Sequence, residues 1–169
     1  MTDTTTIDHE TIMSKKTLII TLVSLIFVAC TPKTVFSEFQ TMPLSGWHQD
    51  STLHYAFTMS DTVNAYDLII CVRHTEVYPY QNMWLFCSFG TPLDSVTLWH
   101  NDTIEFYLAD DRGQWLGNKA ISYMEMPVLF AQNYRFHREG EYQFTITQAM
   151  RETLLRGVSD VGLIVRKSE

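Results

Sequence analysis

Between Leu53 and Arg166, apolar residues recur at every second position in short runs, and turn-forming residues end each run. A period of two belongs to a strand with one buried and one wet face, because successive side chains leave a strand on opposite sides. Leu53, Tyr55 and Phe57 alternate with Thr52, His54 and Thr58, and Val96 and Leu98 with Ser95 and Thr97. Ile104, Phe106 and Leu108 alternate with Thr103 and Glu105, and Tyr142, Phe144 and Ile146 with Glu141, Gln143 and Thr145. Tyr66–Val72 and Met83–Phe89 are more continuously apolar, as expected of central strands, and Trp84 is read as core on that ground. A last strand is expected over Val161–Arg166. Turns are marked by Ser60-Asp61, Tyr78-Pro79, Gly90-Thr91-Pro92, Asn101-Asp102, Asp110-Asp111-Arg112-Gly113 and Glu139-Gly140. Short strands at this spacing predict an all-β fold, an antiparallel β-sandwich of the jelly-roll or Greek-key kind. One short C-terminal helix is expected over Gln148–Arg156, with Met150 and Leu154 on one face and Gly157 in the left-handed position after it.

The N-terminal region obeys a different rule. Lys15-Lys16 precede an apolar run from Thr17 to Ala29 that ends on Cys30. Cations, a short apolar segment and a small residue at the cut form the layout of an export signal. The run falls short of the roughly 20 residues that a membrane-spanning helix needs. With Cys30 directly after Val28-Ala29, the segment resembles a bacterial lipoprotein signal, whose cysteine is acylated and becomes the mature N-terminus. Phe27 departs from the leucine usual in such signals, and a plain secretory signal is the alternative. The expected organisation is a signal peptide over 1–29, a lipidated N-terminus and tether over 30–40, and a sandwich domain over 41–169. Residues 1–12 place Asp3, Asp8 and Glu10 at an end that should be positive, so Met13 is the better start. The tether has no acidic cluster, which favours a periplasm-facing position on the outer membrane.

From Cys30 to Glu169 the chain has 140 residues, enough for one domain with its own core. Setting aside Lys15, Lys16, Asp3, Asp8 and Glu10 reduces 12 basic and 19 acidic residues to 10 and 16, a net charge of −6. The longest basic run is Arg166-Lys167, so nucleic acid, whose phosphates demand clustered cations, is excluded as a partner. After the signal no apolar segment is long enough to span a bilayer. Contact with the lipid bilayer therefore falls to acylated Cys30, with palmitate-like chains whose buried methylenes contribute about 0.8 kcal/mol each. Cys71 and Cys87 stand equidistant from Pro79. If the segment is a simple hairpin, the two face each other and a disulfide is allowed; otherwise they are buried thiols acting as small hydrophobes.

Chemistry-bearing patterns are scarce. No histidine pair has metal-ligand spacing and no phosphate loop or nucleophile elbow occurs, so neither cofactor nor metal is expected. Asp110-Asp111 is the most visible carboxylate pair, but Asp-Asp-Arg-Gly is first a turn in which aspartate bonds its own backbone. The chain is read as a non-enzyme. Trp99 and Trp115 have neighbours that leave their facing open, and exposed rings on a sandwich stack on sugars. A cell-surface glycan-binding module is therefore the alternative function. Asp50-Ser51-Thr52, Asp61-Thr62-Val63, Asp94-Ser95-Val96 and Asp102-Thr103-Ile104 are similar to an O-glycosylation signal of some gliding and gut bacteria, with Thr62 or Thr103 as the candidate acceptors.

Three segments go beyond a generic sandwich: Arg73–Leu85 (RHTEVYPYQNMWL), Asp102–Asp110 running into Gly113–Gly117 (DTIEFYLAD, GQWLG), and Gln148–Arg151 running into Asp160–Leu163 (QAMR, DVGL). Together they resemble the gliding-motility-associated lipoprotein family called GldH, over almost the whole mature chain. His74 departs from it, standing where a polar amide is more usual. The resemblance implies an outer-membrane lipoprotein, needed in gliding bacteria for adhesin movement beside a secretion machinery, with no catalytic activity and no known ligand. It makes other envelope proteins the expected partners. The Tyr-Pro-Tyr loop, with Tyr78 and Tyr80, is read either as a structural bend or as a docking edge for such a partner.

Overall fold

The computed structural model describes residues 33–92 and 100–169. Cys30, Trp99, the signal segment, the Val96–Leu98 run and Asp94-Ser95-Val96 lie outside these residues. The strands are β1 (Thr34–Thr41), β2 (Trp47–His48), β3 (Leu53–Met59), β4 (Tyr66–His74), β5 (Asn82–Gly90), β6 (His100–Tyr107), β7 (Asn118–Lys119), β8 (Met124–Tyr134), β9 (Gly140–Gln148), β10 (Leu154–Leu155) and β11 (Val158–Lys167). They form a five-stranded sheet in the order β1-β11-β4-β8-β7, a four-stranded sheet in the order β3-β9-β5-β6, and a small β2-β10 ribbon. All pairings are antiparallel.

The four-stranded sheet shows the expected period. In β3, Leu53, Tyr55, Phe57 and Met59 are buried while His54, Ala56 and Thr58 are exposed. In β9, Tyr142, Phe144 and Ile146 turn inward. They meet Leu68, Ile70 and Val72 of β4 and Val161, Leu163 and Val165 of β11 in one apolar core. Rings dominate one half of it: Phe36–Phe57, Phe89–Tyr134 and Phe136–Tyr142 have centroids 5.2, 5.4 and 4.8 Å apart. Each such ring contributes roughly 2–3 kcal/mol on burial.

Four expectations need correction. No helix occurs among the described residues, and 148–156 forms a turn followed by β10. An isolated nine-residue helix is marginal in water, whereas the side chain of Gln148 holds the turn directly. Its Oε1 accepts from Met150 N at 2.8 Å and its Nε2 donates to Glu152 O at 2.7 Å. Gly157 does take positive φ, at 83°, but in order to pass against Tyr78 rather than to end a helix.

The tether over 30–40 is shorter than expected, because Thr34–Thr41 pairs along β11 as an edge strand. The hairpin about Pro79 does not exist. β4 and β5 lie in different sheets, so Cys71 and Cys87 are free thiols. Cys87 belongs to the core, while Cys71 is buried outside it on the outer face of its sheet. Burial pushes the Cys71 thiol up to about 11 and the Cys87 thiol up to about 12, as for inert hydrophobes. Finally, Trp84 is not core: β5 alternates, with Met83, Leu85, Cys87 and Phe89 inside and Trp84 and Phe86 outside.

Candidate functional site

The three segments that carry the family resemblance meet at one end of the domain. Loop 75–81 leaves β4 and crosses to β5. Gln81 O accepts from Leu108 N at 2.6 Å and Ala109 N at 3.0 Å, fastening the second segment to the first. The turn after Ala109 is built as expected: Asp110 Oδ1 accepts from Arg112 N and Gln114 N, and Gly113 has φ 77°. That turn returns the chain so that Trp115 pairs with Ala109 and its ring reaches His74. The third segment closes from the other side. Ala149 N donates to Trp84 O at 2.9 Å, Trp84 N donates to Met150 Sδ at 3.3 Å, and Tyr80 Oη donates to Glu152 Oε1 at 2.8 Å. Gly157 sits so close to Tyr78 that a Cβ there would lie 2.4 Å from Tyr78 N.

At the centre of this end is His74, fully buried beneath rings. Its ring centroid is 4.6 Å from that of Trp115 and 5.7 Å from that of Tyr78. Its Nδ1 stands 3.2 Å from Thr75 O; a carbonyl only accepts, so this nitrogen carries the proton. The buried Nε2 then presents a lone pair to which no group donates. Burial lowers the His74 pKa, and the bond to Thr75 opposes that shift only in part. Tyr78 is buried too, and its Oη donates to Asn82 O at 2.8 Å. Burial, and after it the neighbouring Tyr80, holds the Tyr78 phenol well above its ordinary range. Tyr78 is therefore a structural ring, and of the loop's two tyrosines only the half-buried Tyr80 reaches the surface. Trp115 is half-buried as a wall of the His74 cage.

The open surface lies around the corner, on the outer face of the four-stranded sheet. Trp84, Phe86 and Tyr107 are 38%, 54% and 58% exposed. Register places Asn82 opposite Tyr107, Trp84 opposite Glu105 and Phe86 opposite Thr103, so all three rings stand on this face. A cavity of about 460 Å³ lined by Tyr80, Asn82, Trp84, Ala149, Met150 and Arg151 opens at one end of the row. A second, of about 410 Å³, is lined by Phe86 and Asp102 together with Thr52, Thr103, Thr147, Ser88 and Asn101. The sequence carries no signal for this row, because Met83–Phe89 is apolar on both faces and only the burial in the structure alternates.

The comparisons with known proteins agree with the segments just described. A family described as GldH lipoprotein matches residues 34–165, starting at the first residue of β1. Over 152 residues the chain is 30% identical to a gliding motility lipoprotein GldH homolog of Christiangramia forsetii, covering 86% of this chain and 91% of that one. Over 162 residues it is 27% identical to the gliding motility lipoprotein GldH of Flavobacterium johnsoniae, covering 92% and 98%. Among solved structures, the VP2 subviral particle of infectious bursal disease virus aligns with 79% of this chain and 30% of its own, at 12% identity and a TM-score of 0.33, too distant to inform fold or function. The family match spans every strand of both sheets, and the chain belongs to the GldH lipoprotein family.

Proposed function

We propose that this chain is a lipid-anchored, non-enzymatic subunit or scaffold of an outer-membrane complex serving gliding motility or secretion. In this reading acylated Cys30 holds a jelly-roll-like β-sandwich on the periplasmic side of the outer membrane. One chain binds a bilayer only marginally, and the two or three chains of a bacterial lipoprotein make attachment lasting. The observation that carries the reading is the convergence of the three family segments into one rigid end. Such an end is costly to build and leaves Tyr80, Trp84 and Arg151 facing outward around one cavity.

The strand register supports an orientation. Thr34 pairs with Arg166 and Arg166 with Asp67, so the chain enters the domain at the start of β4. His74 and the convergent end lie at the other extreme of that nine-residue strand, about 26 Å away. From Cys30 to Thr34 the chain spans at most about 14 Å. A short leash thus keeps the entry end near the lipid and presents the convergent end to whatever lies beyond it. Affinity co-purification from detergent-solubilised membranes tests the role: envelope proteins should be recovered with the wild type and lost with Tyr80→Ala/Arg151→Ala. Recovery of the chain alone would refute it. Labelling with palmitate tests the anchor, and Cys30→Ser should release the protein from the membrane fraction.

A further inference from the structure

We propose that the cavity between Tyr80, Trp84 and Arg151 binds a saccharide carrying a carboxylate, and that the sugar chain continues along β5 across Phe86. The inference rests on the geometry of this face and holds whichever complex the protein joins. Two features select the ligand. The first is a pair of adjacent apolar rings bordered by hydroxyls and amides. Trp84 and Phe86 project from one rigid strand, two residues and therefore about 7 Å apart. Beside them stand Asn82, Glu105, Thr103 and Thr147, with Ser88, Asn101 and Asp102 farther along. The two rings are neighbours on the face and are flanked, on the paired strands, by groups that donate and accept hydrogen bonds. A pyranose has that same two-sided character, with C–H faces that pack on rings and an equatorial edge of hydroxyls.

The second feature is charge. In a chain with 19 acidic and 12 basic residues, Arg151 is the one charged side chain lining the cavity at Trp84. It forms no ion pair among the described residues. Glu152 and Glu105 keep their charge while accepting from Tyr80 Oη and from Asn82 Nδ2 at 2.6 Å, but neither carboxylate lines the cavity, where Arg151 alone sets the sign. That second bond leaves Asn82 Oδ1 free to accept from a sugar hydroxyl. A free guanidinium beside two rings and an amide is complementary to a sugar carboxylate, which it holds by two parallel N–H···O bonds.

The test is calorimetric titration of the soluble domain with tetragalacturonic acid, with the N-acetylglucosaminyl-N-acetylmuramic acid disaccharide, and with galactotetraose as the neutral control. Binding of either acidic sugar in preference to the neutral one is expected. The first two separate a hexuronate from a lactyl carboxylate as the source of the charge. Trp84→Thr should weaken the acidic ligand at least about tenfold, and Arg151→Gln should erase the preference over the neutral sugar. Both side chains lie on the surface, and unchanged thermal melting identifies folded variants. Phe86→Thr, which touches neither Arg151 nor the cavity lining at Trp84, should weaken the tetramer more than the disaccharide. Failure of both acidic sugars at millimolar concentration overturns the proposal, as does equal binding of the neutral one. Self-association of the domain that Trp84→Thr abolishes also overturns it, by showing the face to be a contact between copies.

Discussion

His74 gives the sharpest test of how the convergent end is built. Its ring is buried, Nδ1 donates to Thr75 O, and Nε2 has no partner, so a second proton would add a charge and an unmet donor beneath Trp115 and Tyr78. The folded-state pKa accordingly lies below the ordinary 6.5. Below that pH the unfolded chain takes up a proton that the folded chain refuses, so stability falls on acidification until the folded pKa is reached. Each pH unit between the ordinary and the folded pKa costs at most about 1.4 kcal/mol. For a domain of this size that is a drop in melting temperature of about 3–6 °C. Asp61 and Asp67 do not interfere. Their pKa values are lowered, by hydrogen bonds from Asn64 and from Ser168 respectively, so their contribution is lost only below the ordinary carboxylate range. The other described histidines, at 48, 54, 100 and 137, are exposed. Circular-dichroism melts at half-unit pH steps should show the acid slope in the wild type and not in His74→Gln. An equal slope in both proteins, or a His74 resonance that titrates above pH 6.5, would refute the argument and show that the rings stabilise the imidazolium.

Three further outcomes follow from the packing. Gly157→Ala and Gly113→Ala both place a Cβ at positive φ, a strain of about 1–2 kcal/mol each, but only the first also meets backbone, at Tyr78. Urea denaturation should therefore find Gly157→Ala about 1–3 kcal/mol worse than Gly113→Ala, and equal losses would contradict the close approach. Trp47, buried with Nε1 donating to Ser51 O, and exposed Trp84 should separate on mutation: about 3–5 kcal/mol for Trp47→Ala, and within about 0.5 kcal/mol for Trp84→Thr. In denaturant without reductant, both Cys71 and Cys87 should alkylate completely; resistance of the pair would reveal a disulfide and a β4–β5 arrangement unlike this one.

How far the fold was legible depended on whether one rule governed a stretch. Where one face is buried and the other wet, as in β3 and β9, alternation alone placed strand and facing together. β8 escaped notice because Pro127 interrupts it, and proline reads as a strand breaker. It is tolerated there because β7 pairs only with Met124 and Glu125, leaving β8 an edge at Pro127. β1 was hidden inside a segment assigned to the tether, since Thr34–Thr41 carries Ser37, Glu38 and Gln40 and is mostly exposed. Its value lies in what it covers: the Phe39 ring lies over Gly162 and under the Arg73 guanidinium, whose Cζ is 3.8 Å from the ring centroid. A pairing of that kind depends on register across the sheet, which no local pattern encodes.

The candidate site divides along the same line. His74, Tyr78 and Trp115 fall in segments that mark the family, and they are consumed in holding the domain's end together. A different set of side chains emerges where those segments reach the surface. Tyr80 follows buried Tyr78 by two positions, the Trp84 backbone accepts from Ala149 N and donates to Met150 Sδ of the third segment, and Arg151 is carried on the turn that Gln148 fixes. An end built this way couples stability to display: loosening Gln148 or Gly157 should shift Tyr80 and Arg151 without touching either. A ligand held between those two side chains should in turn raise the melting temperature, because it binds only the folded end. If that ligand tightens the cage over Nε2, His74 should stay neutral to still lower pH and its acid lability should extend further with ligand bound; an unchanged acid slope would show cage and cavity to be independent.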